Sequence, residues 1–388
     1  MKPVILFVDD EAKILQGLKR SLRPLRNEWD VDFAVGGAEA LAKLAERPAD
    51  VVVSDMRMPG MDGATLLDRV LAEHPATVRF VLSGQCDEDI VYRLTGNSHR
   101  FFSKPCDAER LIAAIREVLA RRARVAAEPA RRAAAQAALL PGDPEVRGAL
   151  RAALAAGEPP LSEVTGIVAR DPGLTAKMLQ LAGSAYFGTG SPVSSLGQAV
   201  QRLGAETLRR LIVQDGLPAP TARDSAVPEL WRRSRACAGL ARQIAKGEGL
   251  AAEEVEAAHL AGLLHRTGDL VLAADPAAGA AVDGEDQRAA LGAYLLALWG
   301  LPAAIVEAVA FHHAPHHAPH HASGRTPDPA DRVLAVVHAA AHLVAREGAP
   351  DDGPGLDLQF LDGQGLGPRL PAWTEAATRI AGGGMGHD

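Results

Sequence analysis

Residues 51–54 read VVVS and are followed by Asp55. A strand with one face in water alternates apolar and polar residues. This one does not, so both of its faces are covered, as in a central strand of a parallel sheet. Four more short apolar runs flank it: VILFV (4–8), VDFAV (31–35), VRFVLS (78–83) and RFFSK (100–104). Between them lie segments with helical spacing, such as Ile14, Leu15, Leu18 and Leu22. Strands that alternate with helices predict an α/β fold over residues 1–120, a doubly wound five-stranded parallel sheet.

The pattern then changes. Residues 121–138, RRARVAAEPARRAAAQAA, are rich in Ala and Arg and carry no strong apolar period. They read as a basic linker, part helix, interrupted near Pro129 and presenting a solvated face. From 139 to 382 strand patterns disappear and helical ones dominate, which predicts a second, all-α domain. Asp171 before Pro172 is a helix start, an N-cap followed by proline at the first helical position. Residues 383–388 read as a disordered tail.

Bulk properties remove several classes of function. The net charge of −7 argues against a dedicated DNA binder. Cys86, Cys106 and Cys237 are spaced as neither a disulfide framework nor a zinc site, and Cys106 reads as an inert loop thiol. The N-terminus MKPVILFVDD meets two aspartates too soon for a signal peptide, and no apolar run of about 18 residues predicts a membrane span. The expectation is a cytoplasmic protein.

In an open parallel sheet, ligands bind at the carboxyl ends of the strands. Asp9 and Asp10 follow the first strand, Asp55 the third, Ser83 ends the fourth and Lys104 the fifth. Clustered carboxylates repel one another, and a hard divalent cation such as Mg²⁺ relieves the repulsion. An aspartate beside Mg²⁺ and a lysine has the surroundings of a phosphoryl acceptor.

The motifs FVDDE, VVVSDMRMPGMDG, VLSG and FFSKP, in that order, make residues 3–120 resemble the receiver domain of two-component response regulators. The resemblance implies that a sensor histidine kinase phosphorylates Asp55. It implies Mg²⁺ held by Asp10, Asp55 and the backbone carbonyl of Arg57, with Asp9 assisting through water. It makes Lys104 the partner of the phosphoryl group, Ser83 the switch hydroxyl and Phe101 the switch aromatic. Phe101 would gain burial on phosphorylation. Pro59, Gly60 and Gly63 read as turn residues.

The helical half resembles an HDOD domain through PLSEVTGIVARDPGLTAKMLQLAGSAYFG (160–188), SPVSSLGQAVQRLGAETLRRLIV (191–213), LAGLLHRTGDLVL (260–272) and LPAAIVEAVAFHHAP (301–315). HDOD domains are similar to HD phosphohydrolases that have lost catalytic ligands. By that resemblance the ligand positions hold Arg233, His265, Arg266 and His342, so one of four is kept. Arginine keeps its proton and cannot ligate a cation. The expectation is a non-catalytic domain that binds a downstream protein or a nucleotide, with homodimerisation open. The alternatives are a receiver-controlled HD-type phosphodiesterase and a cyclic-dinucleotide sensor using Arg233 and Arg266. The run HHAPHHAPHHA (312–322) reads as a His-rich surface loop, with His338 and His342 in or beside the helical core.

Overall fold

A computed structural model describes residues 2–84, 96–184, 187, 193–214, 226–319, 328–346 and 355–381. Cys86, the end of the histidine run (320–322) and the tail 383–388 lie outside the described residues.

Strands β1 (Val4–Val8), β2 (Asp30–Ala34), β3 (Val51–Asp55), β4 (Val78–Ser83) and β5 (Arg100–Ser103) form one parallel sheet in the order β2-β1-β3-β4-β5. Helices α1 (Ala12–Ser21) and α4 (Ala108–Arg124) cover one face, and α2 (Gly37–Glu46) and α3 (Gly63–Glu73) the other. The pleat divides the strands accordingly. Ile5, Phe7, Val51, Val53, Phe80 and Leu82 point to the α1/α4 side, while Leu6, Val8, Val52 and Val81 point to the α2/α3 side. The continuous apolar runs are thus the signature of two covered faces.

The helical half comprises α5 (Glu128–Gln136), α6 (Pro144–Ala155), α7 (Leu161–Val168), α8 (Pro172–Gly183), α9 (Leu196–Arg209), α10 (Val227–Gly247), α11 (Ala252–Leu264), α12 (Thr267–Ala274), α13 (Pro276–Gly279), α14 (Glu285–Leu298), α15 (Ala303–Phe311), α16 (Pro329–Arg346), α17 (Leu358–Gly363) and α18 (Leu370–Ala381). Asp171 caps α8 as its position requires, accepting from the Leu174 N–H at 2.9 Å.

The linker differs from its reading as a solvated helix. The break falls at Val125–Ala127, and Pro129 sits in the first turn of α5, where its missing N–H costs nothing. Ala130, Ala133, Ala134 and Ala135 are buried. The alanines that blurred the apolar period are there because α5 packs closely between the two halves. The core on the α1/α4 face therefore runs without a break into the helical domain.

Helix α14 is the element most enclosed by this arrangement. Residues 289–298, AALGAYLLAL, are all buried. On its inner side α14 meets α12 at a glycine pair. A Cβ on Gly268 would lie 1.8 Å from the Arg288 carbonyl oxygen, and one on Gly292 would lie 2.8 Å from the Gly268 nitrogen. Gly268 is inside α12 and is needed for close approach, not for ending a helix. No helix among the described residues is long and apolar enough to cross a membrane.

Candidate functional site

Asp9, Asp10 and Asp55 meet at the carboxyl edge of the sheet. Their ligand oxygens all lie within 4.8 Å of one another, and no other group of three or more His, Cys, Asp or Glu among the described residues does so. Asp9 is held by the Glu11 N–H, 2.9 Å from Oδ1. Lys104 Nζ lies 2.7 Å from Asp9 Oδ2 and 2.6 Å from Asp55 Oδ1. Burial works against the Lys104 charge, but hydrogen bonds to Asp55 and Asp9 outweigh it and hold its pKa above the usual lysine value. The Lys104 N–H donates to the Ser83 carbonyl at 2.8 Å, which aligns the ends of β4 and β5. Three carboxylates facing one ammonium form an oxygen-rich pocket that suits a hard divalent cation.

Gly63 has a role that its reading as a turn residue did not include. A Cβ there would come within 2.2 Å of the Asp55 carbonyl oxygen. The start of α3 therefore presses directly on the acceptor strand, and the Gly63 N–H donates to the Met56 carbonyl at 2.9 Å. Arg57 is exposed beside the pocket. Phe101 is only 8% exposed and lies in the apolar cluster on the α2/α3 side. The ring already fills the inner position, so the expected gain in burial has little room. Burial pushes the Cys106 thiol up to about 11, which keeps it protonated and poorly nucleophilic near neutral pH.

The residues that the resemblance puts at HD ligand positions form no cluster of three metal-ligating side chains among the described residues. His265 caps the end of α11 and its Nδ1 bonds the Gly262 carbonyl at 2.7 Å. Burial, then the neighbouring Arg266 charge, brings its pKa down to about 3. Arg266 pairs with Asp269 at 3.0 Å and with Glu285 at 3.6 Å; the first is a contact of charge, since its N–H is not aligned for a hydrogen bond. Arg288 also reaches Asp269, at 3.5 Å. Arg233 pairs separately with Glu229 at 2.8 Å. In α16 it is His338, one turn before His342, that bonds the His312 carbonyl, at 2.6 Å.

The start of the histidine run is corrected from surface loop to built structure. His312 is 2% exposed, and its ring stands edge-on to His265 with centroids 5.3 Å apart. His313 Nδ1 lies 2.9 Å from Glu285 Oε2, an interaction that draws the Glu285 carboxyl down to about 2. The repeated unit HHAP concealed this. Only the position of the first pair at the end of the apolar helix α15 distinguishes it from the later copies.

A second group, also missed in the sequence, joins the two halves. Arg79 on β4 is 1% exposed; its guanidinium donates to the carbonyls of Thr77, Asn97 and Ala135. Burial lowers its pKa to about 10. Arg100 on β5 donates from Nε to the Ala297 carbonyl at 2.9 Å. Gln180 of α8 donates to the His99 carbonyl at 3.1 Å. Two arginines in otherwise apolar strands were the available signal.

With fold and pocket described, comparison with known proteins defines the class. The response regulator receiver domain matches residues 5–116, which makes this a receiver-containing regulator. The HDOD domain matches residues 140–281. The chain thus belongs to the response regulators in which a receiver precedes an HDOD domain. It is 34% identical to the transcriptional regulatory protein TrcR of Mycobacterium tuberculosis, over 30% of this chain and 45% of that one. It is 31% identical to the C4-dicarboxylate transport transcriptional regulatory protein DctD of Rhizobium meliloti, over 35% and 29%. The chain spans less than half the length of these two relatives. A solved signal receiver domain of an HD domain-containing protein from Pseudomonas fluorescens Pf-5 is 37% identical, over 31% of this chain and 96% of that one, with a TM-score of 0.30.

Proposed function

We propose that Asp55 accepts a phosphoryl group from a sensor histidine kinase, and that the HDOD domain answers by binding a downstream protein without catalysing a reaction of its own. The observation that carries the first part is the Lys104 ammonium, set between Asp9 and Asp55 at 2.7 and 2.6 Å. An Asp55 oxygen attacks the phosphorus, the P–N bond to the kinase histidine breaks, and that nitrogen leaves with the electron pair. Lys104 and the Ser83 hydroxyl face the transferred oxygens. Asp10, Asp55 and the Arg57 carbonyl would hold Mg²⁺, which supplies charge neutralisation when bound, with Asp9 assisting. Phe101 packs behind the Ser83 strand end as the switch aromatic. Residues 121–138 join receiver and output domains.

The second part is supported by charge. The Arg266 guanidinium stands beside His265 and is engaged by Asp269 and Glu285, while Arg233 shares the single carboxylate of Glu229 with Arg232. Fixed cations at two ligand positions oppose a divalent ion. Their engagement by carboxylates also weighs against the reading of a cyclic-dinucleotide sensor.

The test is labelling with a small phosphodonor and Mg²⁺. Wild type should gain one acid-stable, base-labile acyl phosphate that is absent in Asp55→Ala. Undiminished label in that variant would give the acceptor role to another residue. In parallel, the full chain should not hydrolyse phosphodiesters with Mn²⁺, Fe²⁺ or Mg²⁺. Hydrolysis that disappears in His265→Ala would make the protein a regulated enzyme.

A further inference from the structure

Helix α14 has two distinct sides. Its inner side meets α12 at the Gly268–Gly292 contact. Its outer side carries Gln287, Tyr294 and Ala297, spaced by seven and three residues and so on one helical face. This side is covered by the receiver and linker. Gln287 Oε1 accepts from the Ala126 N–H at 2.9 Å, and the Ala297 carbonyl accepts from Arg100. Tyr294 is enclosed near Arg122, Arg79 and Arg131.

Three features mark this cover as something built to be removed. First, the Tyr294 hydroxyl is fully buried and has no hydrogen-bond partner. A buried orphan donor opposes the closed arrangement. Second, both gripping arginines act on main-chain carbonyls in the last turns of helices: Arg79 on Ala135 of α5, Arg100 on Ala297 of α14. Helix C-termini carry partial negative charge and free carbonyls, so a cation docks there; Arg100 is also held by Glu117 of α4, at 2.8 Å, which aims it at α14. Third, the charges at the far end are complementary. Helix α4 ends in Arg121, Arg122 and Arg124, and α14 begins with Glu285 and Asp286. Arg124 lies over the Phe311 ring, 4.1 Å from its centroid, next to His312.

We propose that the outer face of α14, centred on Tyr294, is a helix-binding surface that α4 and α5 occupy in cis. A protein partner presenting an amphipathic helix with an arginine-rich C-terminal end competes for it. This rests on reading the HDOD domain as a binding domain, but not on phosphorylation. The chain's own α4 shows what fits: a helix whose last turn sets Arg124 near Asp286 and both Arg121 and Arg124 over the Phe311 ring.

The test uses the full chain as wild type, Arg100→Ala and Tyr294→Phe. The probe is a fluorescein-labelled peptide of residues 108–136. Arg100→Ala loosens the cover and should bind the peptide at least about tenfold more tightly than wild type. Amide exchange in residues 285–298 should accelerate, with β1 and β3 unchanged as a control for receiver folding. Tyr294→Phe removes the orphan hydroxyl and should move the other way, with exchange in 285–298 slowed by about fivefold or more, the lower end of what such a group costs. Equal peptide binding by all three proteins, or unaltered exchange in Arg100→Ala, would overturn the proposal. Phosphodiester turnover would instead overturn the reading on which it rests, and is measured separately.

Discussion

Replacing Lys104 by methionine keeps the length of the side chain and removes its charge. The structure sets the scale of the effect. Carboxylate oxygens of Asp9, Asp10 and Asp55 lie within 4.8 Å of one another, so each ionised pair repels by about 2–3.5 kcal/mol at an effective dielectric of 20–40. Lys104, at 2.7 and 2.6 Å from two of them, offsets much of this. Its side chain is 21% exposed, so solvent takes over part of that task when it is lost, and the net destabilisation should be about 2–3 kcal/mol. A cation in the pocket can restore it, because ligand at a hundredfold excess over Kd stabilises by about 2.7 kcal/mol. Urea denaturation followed by circular dichroism, with and without Mg²⁺, measures both numbers. Removing the ammonium should tighten cation binding, so Mg²⁺ should stabilise Lys104→Met more than wild type and narrow the deficit. Failure of Mg²⁺ to stabilise either protein would show that the three aspartates do not form a cation pocket, and a deficit unchanged while Mg²⁺ stabilises both would show that the Lys104 charge does not act on it.

Other outcomes follow from the same geometry. Gly268→Ala drives a methyl group into the Arg288 carbonyl and should cost about 3 kcal/mol or more, read as a lower urea midpoint. Arg266→Asp leaves Asp269 and Glu285 without their shared cation; it should lower thermal stability and confer no phosphodiesterase activity, and any turnover gained would count against the lost-ligand reading. His99, His265 and His312 are buried and held neutral, with pKa values below the ordinary 6.5. The unfolded chain takes up their protons first, so stability should fall as pH drops below 6.5, by about 1 kcal/mol for each histidine per pH unit. A midpoint unchanged between pH 7.5 and 5.5 would contradict this. Phe101→Ala should leave Asp55 labelling largely intact and weaken partner binding; loss of labelling would make the ring a folding element.

The sheet was legible because a strand covered on both faces has no polar alternation, and because parallel topology places every strand end on one edge. Asp9, Asp55 and Lys104 could therefore be grouped across 95 residues of sequence. What stayed hidden depends on contact, which periodicity does not report. Gly63 read as a turn and Gly268 left no mark of its own, whereas each is a point where two backbones nearly touch. The alanines of α5 diluted the apolar period and looked solvated, although small residues are what a close helix contact requires. His312 and His313 were masked by their own repeat. Helix α14, apolar on every side, carried a real signal: such a helix needs cover all around, and one domain supplies only part of it.

The two strands that end in Ser83 and Ser103 begin near Arg79 and Arg100. Four residues of extended chain separate Arg79 from Ser83, about 13 Å. Laddered to neighbours, such a strand is stiff along its length. Arg79 and Arg100 therefore hold the helical half from the edge opposite the three aspartates, at the far end of the same strands. The grip can thus be cut by substitution at Arg79 or Arg100 without touching a residue of the acidic edge.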